Sequence, residues 1–152
     1  MDRKITLEDL EKFKYLDAII KESFRMKSII PLGARVLSST DTVAGYKWEP
    51  NTLFVINNMS IHHQEEHWKE PEKFLPDRFL TDKITKNSFI PFGGGIRICP
   101  GRLMAMIKVK LLIILFFRKY NIELADKIKY SYGGIYLYSN LIVKLSPKHK
   151  KN

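Results

Sequence analysis

The spacing of apolar and polar positions divides the chain into helical and extended stretches. From Tyr15 to Met26 the apolar residues Leu16, Ile19, Ile20 and Phe24 recur at the three-to-four spacing of an amphipathic helix. At about 100° per residue these four share one arc, which puts Glu22 and Arg25 on the far, non-core face as neighbours three apart. A shorter helix precedes it, opened by Thr6-Leu7-Glu8-Asp9, where a hydroxyl at the cap and a carboxylate three residues later form a capping box. Extended runs follow at Ala34 to Leu37, Thr42 to Tyr46 and Thr52 to Asn57, with turn signals at Asp41, Gly45 and Glu49-Pro50-Asn51, and they predict a small antiparallel sheet. From Arg102 to Lys119 the chain is apolar almost all round, through Leu103, Met106, Ile107, Leu111, Ile114 and Leu115, the pattern of a buried helix. Asn121 to Leu124, Tyr130 to Leu137 and Leu141 to Leu145 read as terminal strands, the second broken by a turn at Gly133-Gly134. The expected class is α+β, mainly α, in one continuous unit over residues 1–152 with a flexible tail from 147.

Composition narrows the chemistry. A chain of 152 residues, 45% hydrophobic, has enough apolar material for one core. Its formal charge of +10 points generically to nucleic acid, an acidic membrane surface or an acidic protein. No Arg-rich run interleaved with aromatics occurs, and Lys148, Lys150 and Lys151 read as a solvated tail, so nucleic acid is not an expected partner. The longest apolar run, Leu111 to Phe117, has seven residues and is interrupted upstream by Lys108 and Lys110. That falls short of the ~20 residues a membrane span needs, so no anchor or signal segment is expected.

The single cysteine excludes an internal disulfide framework and every multi-cysteine metal site. It lies in Phe92-Gly-Gly-Gly-Ile-Arg97-Ile-Cys99-Pro-Gly101, directly before the long helical stretch. A thiolate is favoured at a helix N-terminus and beside a fixed positive charge, here Arg97. Gly93, Gly94 and Gly95 permit close backbone approach and would let loop N–H groups turn toward the sulfur. Pro100 suits a helix start, and Gly101 leaves room beside a flat group. Cys99 therefore reads as a metal-bound thiolate.

Phe92, Gly95, Arg97, Cys99 and Gly101 match F-x-x-G-x-R-x-C-x-G at every fixed position. The stretch resembles the haem-binding loop of the cytochrome P450 family. Glu22-x-x-Arg25, Pro76-Asp77-Arg78-Phe79 and the segment from Ile61 to Phe79 are similar to the family's E-x-x-R helix, P-x-R-F element and meander, in the family's order. The resemblance covers the C-terminal part of that fold: E-x-x-R helix, small sheet, meander, cysteine loop, long helix and terminal hairpin. The glycine-rich loop and the sequence around it resemble the eukaryotic, fungal-like type of that family more than the bacterial one. The family often has prolines three and four residues after the helix arginine, where this chain has Ser28 and Ile29.

The resemblance implies haem b held through Cys99 as axial iron ligand, with Phe92, Gly95, Arg97, Gly101 and Arg35 around it. Arg97 and Arg35 would face the haem propionates. Glu22, Arg25 and Arg78 would form a buried structural cluster, although spacing alone also fits a surface ion pair. The implied reaction is monooxygenation of a small apolar organic substrate by O2, with electrons from NADPH through a cytochrome P450 reductase. A basic surface around Arg97, Arg102 and Lys108 would meet that partner. By analogy with full-length relatives, the location would be the endoplasmic reticulum membrane. A non-catalytic haem-binding remnant is the alternative. A different class is raised by His63-Gln64-Glu65-Glu66-His67, an H-x-x-E-H pattern in which His63 and His67 would bind zinc and Glu66 would serve as base.

Overall fold

The structure, a computed structural model, describes residues 3–81, 83–126, 129–132, 135–139 and 141–148. Thr6 caps helix α1 (Leu7–Lys12) as the spacing predicts: its Oγ1 accepts the Asp9 N–H at 3.3 Å, and Asp9 Oδ2 accepts the Thr6 N–H at 3.1 Å. Arg3 grips the same carboxylate with two bonds of 2.6 and 2.8 Å. Those bonds, with the Thr6 N–H, hold Asp9 well below the usual carboxylate range. Helix α2 (Lys14–Met26) follows after Phe13.

Strand β1 (Leu32–Val36) pairs antiparallel with β4 (Leu53–Asn57), with Arg35 opposite Phe54. The predicted strand Thr42 to Tyr46 is instead a tight hairpin of β2 (Asp41–Val43) and β3 (Tyr46–Trp48). Ala44 and Gly45 both have positive φ, 54° and 82°, the pairing that a two-residue hairpin turn requires. The expected single sheet thus becomes separate two-stranded ladders. Short helices α3 (Asn58–Ile61) and α4 (Arg78–Thr81) bracket an irregular segment. Helix α5 (Arg102–Lys119) has the predicted limits and leads into β5 (Tyr120–Leu124). Strand β5 pairs with β8 (Val143–Pro147), and β6 (Lys129–Tyr132) with β7 (Tyr136–Ser139). The Gly133-Gly134 turn lies outside the described residues, as do 149–152 of the expected flexible tail. Pro147 and Lys148 do not belong to such a tail, because Pro147 ends β8 and the Lys148 N–H is bound to the Lys119 carbonyl at 2.9 Å.

The centre is more polar than the periodicity suggests. Glu22 and Arg25, predicted on a non-core face, have no solvent exposure, and Arg78 is 4% exposed. Glu22 accepts from Arg25 Nε and Nη2 at 2.8 and 2.9 Å, from the Leu75 N–H at 2.9 Å and from Arg78 Nε at 3.2 Å. The remaining guanidinium donors reach carbonyls: Arg25 those of His62 (2.8 Å) and Lys73 (3.2 Å), Arg78 those of Lys69 (2.8 Å) and Glu70 (3.4 Å). Both cations also stand over the Trp68 ring, 5.3 and 5.9 Å from its centre. Among the described residues no buried side-chain polar atom lacks a partner. Burial opposes ionisation of Glu22, but the bonds from Arg25 and Leu75 and the two positive charges outweigh it, so its pKa is lowered.

Helix α5 departs from expectation in the opposite sense. It packs on α1 and α2 along one side, where Asp17 joins Lys110 of α5 at 2.5 Å and Lys21 at 2.6 Å. None of its residues is buried, and Leu103 (69%), Leu112 (55%) and Phe117 (52%) are open. Apolarity sets what a helix is suited to bury, whereas burial itself needs a neighbour on that face. Among the described residues no helix is long and apolar enough to cross a membrane.

Replacing Glu22 with alanine strands two buried guanidiniums, so Glu22→Ala should cost about 3–5 kcal/mol of folding stability. The exposed pair Glu70 and Lys73 is the control, and Lys73→Ala should change stability by less than about 1 kcal/mol. Urea titration followed by fluorescence of buried Trp68 measures both; comparable losses in the two variants would refute a central role for Glu22.

Candidate functional site

The cysteine loop is built by short-range backbone bonds. The Ile90 carbonyl accepts the Gly93 N–H at 3.0 Å, that of Phe92 accepts the Cys99 N–H at 2.9 Å, and that of Gly95 accepts the Ile98 N–H at 3.2 Å. These N–H groups are therefore bound to carbonyls rather than turned to the sulfur as the sequence suggested. Gly93 and Gly95 have φ of 75° and 65°, the left-handed region that disfavours side chains, and Gly95 opens the 3₁₀ turn Gly95–Arg97. Closing the loop by the bond between Phe92 and Cys99 leaves the Cys99 thiol exposed ahead of α5. Pro100 is not the first helical residue, since Gly101 is the N-cap and the helix begins at Arg102.

Phe92 is half-buried and meets Phe24 of α2 edge-on, ring centres 5.6 Å apart. Beside it lies a cavity of about 190 Å³ whose lining includes Lys21, Phe24, Phe92, Arg102 and Met106. Arg35 comes from β1, yet a Cβ added at Gly93 would stand 3.9 Å from its Nη2, so the sheet brings this cation to the loop. Arg35 and Arg97 are both exposed. Gly101 has φ of −81°, which any residue adopts, and a Cβ there would stand 3.8 Å from the Cys99 sulfur. Neither backbone conformation nor a clash within the chain demands glycine at 101. What a side chain there would fill is space next to the thiol.

The H-x-x-E-H pattern does not form a zinc site. His63 to His67 run through turns after α3, which ends at Ile61, so the histidines are not one helical turn apart on a common face. His63 Nδ1 is bonded to the Met59 carbonyl at 2.9 Å. Among the described residues no three His, Cys, Asp or Glu are grouped to hold a metal ion.

His62 has the more consequential position, and sequence reasoning passed over it. Its ring is fully buried against Phe89, with Nδ1 2.8 Å from Ser28 Oγ and Nε2 accepting the Ile90 N–H at 2.9 Å. These partners lie 34 and 28 residues away, so no local spacing announces them. Burial, then the nearby His63 and Arg25, lowers the His62 pKa from 6.5 to about 4.

The profile of the cytochrome P450 family matches residues 1–141. The chain belongs to the cytochrome P450 family. It is 38% identical over 128 residues to cytochrome P450 4V2 of Rattus norvegicus, covering 82% of this chain and 24% of that one. It is 43% identical over 100 residues to the (S)-canadine synthase CYP719A21 of Papaver somniferum, covering 64% and 20%. The chain thus spans about a quarter or less of the length of these curated relatives. Among solved structures, the retinoic acid-bound cyanobacterial CYP120A1 superposes with a TM-score of 0.85 at 26% identity, over 95% of this chain and 35% of that one. A cytochrome P450DA heme domain gives 0.87 at 20% identity over 98% and 34%, a likeness of fold. The α+β architecture with small antiparallel ladders is accordingly a portion of the cytochrome P450 fold.

The His62 shift carries a pH dependence of known sign. The unfolded histidine takes a proton below pH 6.5 and the folded one only below about 4, so the unfolded state binds the extra proton in between. Stability is fully present above 6.5 and falls by about 3 kcal/mol as the pH drops through that window. Glu22 and Asp17, whose pKa values are lowered, add their losses only from the ordinary carboxylate range downward, leaving the upper part of the window to His62. Urea midpoints measured across it should slope in the wild type and flatten in His62→Gln; parallel slopes would count against the assignment.

Proposed function

We propose that this chain supplies the haem-holding part of a haem-thiolate monooxygenase, an oxidoreductase that inserts one atom of O2 into a small apolar organic substrate and reduces the other to water. Electrons would come from NADPH through a cytochrome P450 reductase. The observation that carries the reading is the exposed Cys99 thiol at the mouth of a closed glycine loop, next to space that a Cβ at Gly101 would fill. The donor set fits haem b: one soft ligand for iron, with Arg35 beside the loop and Arg97 within it for the two propionates. Haem, when bound, supplies the iron at which O2 is activated, aided by electron density from the sulfur.

The chain's own residues do the positioning. The bond from Cys99 N–H to Phe92 O fixes the backbone from which the sulfur projects. Phe92 on Phe24 ties that backbone to α2, whose Glu22, Arg25 and their partner Arg78 hold the layer behind it. Arg35 and Arg97 would orient the group through its carboxylates, each as a charge-assisted bond. Arg97, Arg102 and Lys108 are each exposed, and their charge would steer an acidic reductase. A haem-binding role without turnover is the second reading, favoured by the open apolar side of α5. Supplying NADPH and a reductase to the loaded chain separates the two, because only the first consumes NADPH in step with substrate oxidation.

Titrating the chain with haem, then reducing it under carbon monoxide, should give the far red-shifted Soret band of a thiolate–carbonyl pair. Cys99→Ser should abolish that band, and its persistence would sink the ligand assignment. Arg35→Ala should keep the band and weaken haem affinity roughly tenfold to a hundredfold, the worth of one charge-assisted hydrogen bond.

A further inference from the structure

Ile90 is the residue through which the cysteine loop is fastened to the interior. Its carbonyl accepts the Gly93 N–H at 3.0 Å, the bond that starts the loop, and its own N–H points inward to His62 Nε2 at 2.9 Å. A backbone N–H can only donate, so Nε2 must carry a lone pair and the proton of the neutral ring must sit on Nδ1. Nδ1–H then donates to Ser28 Oγ at 2.8 Å, and the Ser28 hydroxyl donates to the Phe24 carbonyl at 3.3 Å. Every hydrogen in this run has one place. The backbone of His62 is held as well, since its carbonyl accepts Arg25 Nη1 at 2.8 Å and its N–H reaches the Asn58 carbonyl at 3.0 Å.

We propose that His62 is a positioning residue for the cysteine loop, its buried Nδ1–H imidazole linking the Glu22–Arg25 pair of α2 to the Ile90 N–H and thereby setting where the loop begins. From the carboxylate to the loop the path is three contacts: Glu22 to Arg25, Arg25 to the His62 carbonyl, and the His62 ring to Ile90. Phe89 covers one face of the ring at 5.6 Å, so the imidazole has no room to swing away without disturbing Trp68 and Phe79, which also pack on Phe89. The charged and titratable groups that act on the ring are His63 of its own turn and Arg25 of α2, whose charges oppose a charge on it, while a backbone hydrogen bond at Arg25 favours one. Ser88-Phe89-Ile90 presents no titratable side chain. A residue at 28 without a hydroxyl would offer Nδ1–H no acceptor.

The proposal leans on the haem reading only for its second readout. Two variants separate positioning from simple core packing. His62→Gln keeps an acceptor within reach of the Ile90 N–H, whereas His62→Asn keeps one only near the Ser28 side. Amide hydrogen exchange on the haem-free chain should show Ile90 and Gly93 accelerated about tenfold in the asparagine variant, with the α2 amides unchanged and the glutamine variant close to wild type. If loop and α2 amides accelerate together, or if asparagine and glutamine behave alike, the proposal is overturned. Should the asparagine variant not fold, Ser28→Ala, which leaves Nδ1–H without its acceptor, should still accelerate Ile90 exchange several-fold; unchanged exchange there overturns it equally. In the haem-loaded chain the thiolate–carbonyl band should shrink with asparagine and survive with glutamine. A wild type without that band would remove the haem reading and leave the exchange result to decide the role of His62.

Discussion

A carboxylate with no path to water must either collect donors or take up a proton, and Glu22 collects four. Two come from its own helix, one from the backbone of Leu75 and one from Arg78. Because the carboxylate cannot be moved without stranding Arg25 and Arg78, it fixes the course of the irregular segment 69–77, which no ladder or long helix holds. The guanidinium donors that Glu22 does not take are satisfied by carbonyl oxygens, those of His62 and Lys73 for Arg25 and those of Lys69 and Glu70 for Arg78, so irregular backbone becomes part of the interior. A polar centre of this kind tolerates little rearrangement, since each group that loses its partner costs more than the bond alone was worth.

The cysteine loop inherits that rigidity instead of generating its own. Its internal bonds are few and local, and its glycines favour mobility as much as closure. What steadies it comes from behind: Phe92 on Phe24, and Ile90 on His62. Arg35 arrives from an unrelated element, the β1–β4 ladder, and ends beside Gly93. The thiol, the uncovered glycine at 101 and the cation beside Gly93 therefore belong to one loop region although they derive from two distant parts of the chain.

Helix α5 has a different character. It carries the loop's C-terminal end, is tied to α2 through Asp17 and Lys110, and leaves much of its apolar surface open. The chain spans about a quarter of the length of the relatives it matches, and its open apolar faces belong to a portion of the fold rather than to a self-sufficient core.

The local elements and the loop motif are legible along the chain. The capping box at Thr6, the limits of α5 and the F-x-x-G-x-R-x-C-x-G stretch rest on neighbours a few residues apart, and short-range sterics and hydrogen bonding act at that range. Which faces are buried depends on contacts between segments far apart in the chain. Periodicity placed Glu22 and Arg25 outside because it weighs apolarity alone and does not see donors that arrive from Leu75 and Arg78, more than fifty residues on. It placed α5 inside for the converse reason, since an apolar face is buried only where another element covers it. Zinc-like spacing at His63 and His67 failed because the helix it needed ends at Ile61. The adjacent His62 matters through partners 28 and 34 residues distant, a pairing that only the folded chain brings together.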